Sequence, residues 1–246
     1  MAEQATSTLP AEARLACGVA GWSYDDWDDT VYRLPQHERQ PSLFPGMEDD
    51  RRALSYPEDR LRFLAQFVDM IEINSSFYRI PSARAAESWA ERVGDLPGFF
   101  FTAKLNRAFT HEFQRDATLA GSFRRAFEPL QSAGLLRGVL VQFRYDFADT
   151  QETRGLLSWV HQQFAGFSDI ILEVRHRSWQ SPAAVDFFRQ LGVQVACLDY
   201  PTANDSFNPR TNVAGDRAYL RLHGRNRAAW FSKDVPVDET YNYNYS

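Results

Sequence analysis

The sequence predicts an α/β domain built on a parallel β-sheet, closed as a (β/α)8-type barrel or open as a doubly wound sheet. Three observations predict it. Short apolar runs alternate with longer amphipathic segments along most of the chain, the pattern of repeated strand–helix units. Several runs, such as Ile170-Ile171-Leu172 and Gly138-Val139-Leu140-Val141, are continuously apolar, as parallel strands buried on both faces must be. The length, 246 residues, suits one barrel or two small domains, and α/β barrels of about 250 residues are common.

Taken in order, residues 1–14 hold no basic segment followed by an apolar stretch. They read as a disordered lead-in rather than a signal peptide, leaving 15–246 as a single domain. Strands are expected over 15–22, 70–74, 99–105, 138–143, 170–175, 193–199 and 218–223. Helices are expected over 58–68, 83–93, 121–131, 152–164 and 182–191. In the first helix, Leu61, Leu64, Ala65 and Val68 follow the i, i+3, i+4, i+7 spacing of one apolar face. Pro182 suits a first helical turn, with Ser181 as its N-cap. No G-x-G-x-x-G or Walker-type loop follows a strand, which weakens the dinucleotide-binding version of the open sheet. Polar insertions at 33–57 and 203–215 have the length of functional or mobile loops.

Composition narrows the function classes. Apolar residues make up 44% and aromatics 14%, enough for a large, partly aromatic core. A net charge of −5 does not support a chain held on nucleic acid by overall charge, though it leaves room for a local basic pocket. Cys17 and Cys197 each sit in an apolar run and read as small buried hydrophobes in a reducing compartment. No apolar stretch approaches the ~20 residues that span a bilayer, so no membrane partner is expected and the cytoplasm is the simplest location.

The residues that end the strands carry the chemistry. Glu72 and Asn74 end the second strand, followed by Tyr78. Lys104 ends the third, which leads to His111. Gln142 ends the fourth, and Glu173 and Arg175 the fifth, before Trp179. Asp199 ends the sixth; Arg221 and His223 end the seventh. Period-two spacing puts Glu72 with Asn74, Glu173 with Arg175, and Arg221 with His223 on common faces. Charges on otherwise apolar strands need partners, and barrels gather binding and catalytic groups at the C-terminal ends of several strands. A shared polar pocket is therefore expected, the alternative being a structural ion-pair network.

The run Gly21-Trp22-Ser23-Tyr24 with Trp27 and Tyr32 resembles the opening of the family called domain of unknown function 72 (YecE-like). So do Glu72-Ile73-Asn74-Ser75-Ser76-Phe77-Tyr78-Arg79, Phe101-Thr102-Ala103-Lys104 with Thr110-His111, and Gln142-Phe143. Glu173-Val174-Arg175 with Ser178-Trp179, Arg221-Leu222-His223-Gly224, and Tyr241, Tyr243 and Tyr245 complete the series. The resemblance runs from about Gly18 to the last residue and implies a TIM barrel with no assigned reaction. It also implies a further helix and an eighth strand after the tyrosines. With seven strands visible, the expectation is a barrel lacking its eighth. A gap would lie between the first and seventh strands, and the 241–246 tail would be poorly anchored.

Glu72, Glu173 and Asp199 are the candidate acids, bases or nucleophiles, and paired carboxylates would suit glycoside hydrolysis. With His111 and His223 they could hold a divalent metal, but no short histidine ligand pair exists, so no metal ligand is assigned and the cofactor stays open. Lys104, Arg175 and Arg221 offer anion clamps. Trp22, Tyr24, Tyr78 and Trp179 offer stacking faces, and Tyr241 and Tyr243 a lid. That mix suits a small anionic ligand or a phosphorylated or phosphodiester substrate, turned over by a hydrolase or bound without reaction. The alternative is that each cation neutralises one of the three carboxylates. No G-x-S-x-G elbow supports a serine hydrolase.

Overall fold

The computed structural model describes residues 14–28, 30–32, 59–208, 217–232, 235 and 237–245. Residues 1–13 of the expected 1–14 lead-in, the 33–57 insertion and part of the 203–215 insertion lie outside them. In chain order the described elements are β1 (Gly18–Ala20), α1 (Arg60–Leu64), β2 (Met70–Ile73), α2 (Ala83–Val93), β3 (Phe100–Lys104), α3 (Arg107–Thr110) and α4 (Ala117–Ser132). Then come β4 (Leu136–Gln142), α5 (Gln151–Phe164), β5 (Ile170–Glu173), α6 (Pro182–Leu191), β6 (Gln194–Val195), β7 (Cys197–Asp199), β8 (Leu220–Leu222), α7 (Arg227–Trp230) and α8 (Val237–Tyr241). The longer helices start where the sequence supplies caps. Ser82, Asp116 and Ser181 accept from the third residue of α2, α4 and α6, and Thr150 and Thr153 close a capping box on α5. Such caps satisfy amides that the first turn leaves unpaired.

β1 to β6 form one parallel sheet in sequence order, and β7 and β8 form a second parallel pair. The strand expected over 193–199 is therefore split. Its first part pairs with β5 and its second with β8, while the Ala196 N–H between them still donates to the Leu172 carbonyl at 2.8 Å. Alternation continues through the break: Val195 joins the core under the helices, while Ala196 and Leu198 join the one inside the curl.

Side chains divide by strand face, as period two requires. Ile71, Ile73, Phe101, Ala103, Val139, Val141, Leu172 and Val174 pack outward against the helices in the larger core. Leu140, Ile171, Ala196, Leu198 and Tyr200 form a smaller core on the opposite face. That face is concave. β2 and β5 are three positions apart in the sheet, about 14 Å if it were flat, yet the one guanidinium of Arg221, on β8, bonds to Glu72 on β2 and Glu173 on β5. Only a strongly curled, barrel-like sheet allows this. Gly138 makes part of the room: a Cβ there would lie 2.5 Å from the Ile171 side chain.

Among the described residues β1 pairs only with β2, and β8 only with β7. Leu220 and Leu222, on the outer face of β8, are exposed. No described helix is long and apolar enough to cross a membrane.

Three expectations need correction. Cys17 is exposed and Cys197 half-buried; Cys17 precedes β1, where its N–H is tied to the Asp69 carboxylate at 2.8 Å rather than packed in the core. The first helix covers only Arg60–Leu64 of 58–68. The 241–246 tail is held through Tyr245, whose hydroxyl accepts from the Gly224 N–H at 2.8 Å. Gly224, at φ +80°, lets the tail come close, since a Cβ there would lie 2.8 Å from that of Tyr243.

Candidate functional site

The inward face at the C-terminal strand ends holds a buried charge cluster. Arg221 is its centre. Its Nε and Nη2 donate to the two oxygens of Glu72 at 3.2 and 2.7 Å, and its Nη1 donates to Glu173 Oε2 at 2.5 Å. The other Glu173 oxygen accepts from Gln142 Nε2 at 2.6 Å and Arg175 Nε at 2.8 Å. His223 Nε2 lies 3.2 Å from Arg221 Nη1 and 3.6 Å from Glu173 Oε1. The Tyr219 hydroxyl donates to Glu72 Oε2 at 3.1 Å and lies 3.1 Å from Thr102 Oγ1. Glu72 and Glu173 are 3% and 0% exposed, a burial that ionised groups tolerate only when paired this fully.

The electrostatics follow. Burial works to raise the Glu173 carboxyl, but Arg221, then Arg175 and His223, hold it well below the ordinary carboxylate range. Burial likewise works to neutralise Arg221, and Glu173 and Glu72 overcome it and raise its pKa. Burial raises the Tyr219 phenol, helped by Glu72. Burial lowers the His223 imidazole against the pull of Glu173.

Lys104 stands apart from this pairing. It ends β3 on the same inward face, two residues after Thr102, and its Nζ lies 4.3 Å from the centre of the Phe77 ring. It takes part in no ion pair among the described residues. Burial first, and Arg221 second, lower its pKa to about 8. His111 is nearby: its ring meets Phe77 edge-on at 4.8 Å, its Nδ1 lies 3.0 Å from Thr110 Oγ1, and burial, then Lys104, push it down to about 4. Above the cluster, the Arg175 guanidinium sits 5.5 Å from the Trp230 ring and 5.9 Å from that of Tyr200. Tyr241 closes against Trp230 and His223 at 5.9 and 6.3 Å.

Of the residues expected to share a pocket, Glu72, Lys104, Gln142, Glu173, Arg175, Arg221 and His223 meet on this inward face, with His111 and Tyr241 beside them. Asn74 bonds to the Tyr24 side chain at the end of β2, and the Tyr24 hydroxyl donates to the Ala20 carbonyl. Tyr78 and Tyr243 are exposed. Three expected site residues lie elsewhere. Asp199 alternates with the inward-facing Leu198 and Tyr200, so it points outward and pairs with Arg225 at 2.9 Å. Trp22 packs between Trp89 and Phe101 under α2. Trp179 is fully buried between Phe147 and Phe188, its Nε1 donating to the Phe147 carbonyl at 2.6 Å. Tyr219 and Thr102, which the sequence reading passed over, stand two residues before Arg221 and Lys104; period two alone could have found them. Among the described residues no three of His, Cys, Asp and Glu gather into a set that could hold a metal.

Comparison with known proteins places this geometry in context. A family model described as protein of unknown function DUF72 matches residues 16–246. The UPF0759 protein YunF of Bacillus subtilis is 27% identical over 189 residues, a match that covers 72% of this chain and 66% of that one. The chain thus spans just under two thirds of that relative. A solved DUF72 family protein of Thermotoga maritima superposes with a TM-score of 0.72 at 26% identity, over 94% of this chain and 81% of that one. A DUF72 family protein of Enterococcus faecalis gives 0.71 at 19% identity, over 94% and 78%, a likeness of fold alone.

Proposed function

The chain belongs to the DUF72 family, and from that premise we propose that its pocket binds a small anionic ligand, a phosphorylated one foremost, with Lys104 as the receiving cation. The curled sheet is read as the wall of a (β/α)8-type TIM barrel, whose ligands meet the C-terminal ends of the strands. The charge balance carries the functional reading. Two carboxylates face three cations, and both carboxylates are already engaged by arginine. Lys104 keeps an unmatched charge at the end of β3, where an incoming anion gains most. Trp230, beside Arg175, and Tyr241, against Trp230, would give the ligand an apolar wall.

A hydrolase acting on a phosphorylated or phosphodiester substrate is the catalytic form of the same reading. Glu72 and Glu173 would then hold Arg221 and Arg175 in place rather than move protons. A general acid must carry a proton near neutral pH, and Glu173 is held far below that range. The same argument removes Glu173 as the protonated carboxyl that glycoside hydrolysis needs.

Titration calorimetry with inorganic phosphate and glycerol 3-phosphate tests the reading. Both should bind to the wild type, and at least tenfold more weakly to K104M. Binding of a neutral sugar with none of phosphate would overturn it.

A further inference from the structure

The 27 basic side chains of this protein are 25 arginines and two lysines, Lys104 and Lys233. Wherever a described carboxylate takes a Lys or Arg partner, that partner is arginine. Arg92 pairs with Asp59, Arg154 with Asp149, and Arg175 and Arg221 with the pocket glutamates. Lys104 is the exception, and it ends a strand on the inward face of the pocket. The two side chains differ in one decisive respect: a guanidinium keeps its proton in proteins, while an amine can lose it. A position needing only positive charge would be served by arginine, as its neighbours are. A position needing a free amine would not.

The surroundings suit an amine that is free part of the time. Lys104 lies over the face of Phe77, is in no ion pair among the described residues, and is buried beside Arg221, whose effect adds to that of burial against the opposing pull of Glu72 and Glu173. With a pKa of about 8, roughly a quarter of the side chain is unprotonated at pH 7.5, against about 0.1% for an ordinary lysine. Desolvation beside other cations is the established way to make a lysine nucleophilic.

We propose that Lys104 is a nucleophilic amine that forms an imine with the carbonyl carbon of an aldehyde or ketone bearing an anionic group. This rests on the anion-binding reading above and names the substrate class. The Nζ lone pair forms the new C–N bond while the carbonyl π electrons move to oxygen, giving a carbinolamine after proton transfer from nitrogen to oxygen. A proton from solvent at the pocket mouth then lets that oxygen leave as water. The product is a protonated imine, so the step consumes one proton, releases one water and involves no change of oxidation state. The iminium keeps the positive charge of Lys104 in the pocket, where the anionic group of the substrate can offset it.

Borohydride trapping decides this. The full-length protein is incubated with pyruvate or dihydroxyacetone phosphate as probe, reduced, and examined by intact mass and peptide mapping, with phosphate calorimetry in parallel. The wild type and K233R should gain one reduced adduct at Lys104. K104R should still bind phosphate but gain none, and K104M should lose both properties. Absence of an adduct alongside normal phosphate binding would overturn the imine and leave the anion site standing. Labelling of Lys233 or the amino terminus to the same extent as Lys104 would overturn it too. Absence of both phosphate binding and adduct would remove the anion site with it.

Discussion

Replacing Arg221 by Met removes the group on which the pocket turns. Methionine keeps the apolar stem of arginine and lacks the guanidinium, so the perturbation is mainly the loss of that group's charge and hydrogen bonds. Glu72 and Glu173 lose three hydrogen bonds from one guanidinium and stay buried. Breaking a buried pair from one side costs roughly 3–5 kcal/mol. Arg175 and Gln142 still hold Glu173, and Tyr219 still holds Glu72, so the lower end, about 3 kcal/mol, is expected. For a chain of this size that is roughly 6–12 °C of melting temperature. The loss should depend on pH. In the wild type Glu173 is depressed, so its contribution is present above the unfolded value and lost as pH falls through the folded one. In R221M the opposing effect of burial is no longer outweighed to the same degree, so the carboxyl titrates at higher pH and can relieve its own burial by protonation. The deficit should therefore be largest near pH 7.5 and smaller at pH 5. Urea unfolding followed by circular dichroism at the two pH values measures it. A deficit below about 1 kcal/mol, or one equal at both, would refute the assignment of Arg221 as the bridge between the two buried glutamates.

Three further outcomes follow from the same cluster. E173Q should bind phosphate about 3- to 10-fold more tightly, because the pocket gains one net positive charge, while losing roughly 2 kcal/mol of stability; calorimetry and unfolding on one sample check both, and weaker binding would count against the charge argument. Sulfate affinity should fall by up to about tenfold per pH unit above pH 8 as Lys104 loses its proton, with K104M flat, so a wild type equally flat would exclude Lys104 as the anion's partner. Lys104 binds its proton less well folded than unfolded between about 8 and 10.5; there the unfolded chain holds more protons, its contribution to stability rises with pH, and K104M should lack that rise in paired unfolding curves.

Much of this was legible in the chain. The continuous apolar runs gave strands buried on both faces, and Ser181 with Pro182 gave the start of α6 to the residue. Period-two reasoning found Glu72, Lys104, Glu173, Arg175, Arg221 and His223 because buried charge on an apolar strand has few explanations. Strand-end position alone misplaces Asp199, because the alternation set by Leu198 and Tyr200 turns it outward. Residue type alone suggests stacking groups at Trp22 and Trp179, whereas the large apolar area of indole favours the core. Tyr219 was hidden because a tyrosine in an apolar run reads as core. Phe77 and Trp230 enter the pocket from short helical segments after β2 and β8, and tertiary packing alone brings them there.

The bond from Arg221 to Glu72 joins residues 149 positions apart. Such a contact cannot form until most of the chain has been collected, because the entropy of closing that loop is met before the bond gives anything back. Arg221 should thus be unsatisfied in the transition state for folding, while the local strand–helix pairs are already present. Its energy then sets how long the native state lasts rather than how fast it is reached. The residue that shapes the ligand pocket would also be the clasp that governs the unfolding rate, so that an anion binding beside it would slow opening of the whole curled sheet.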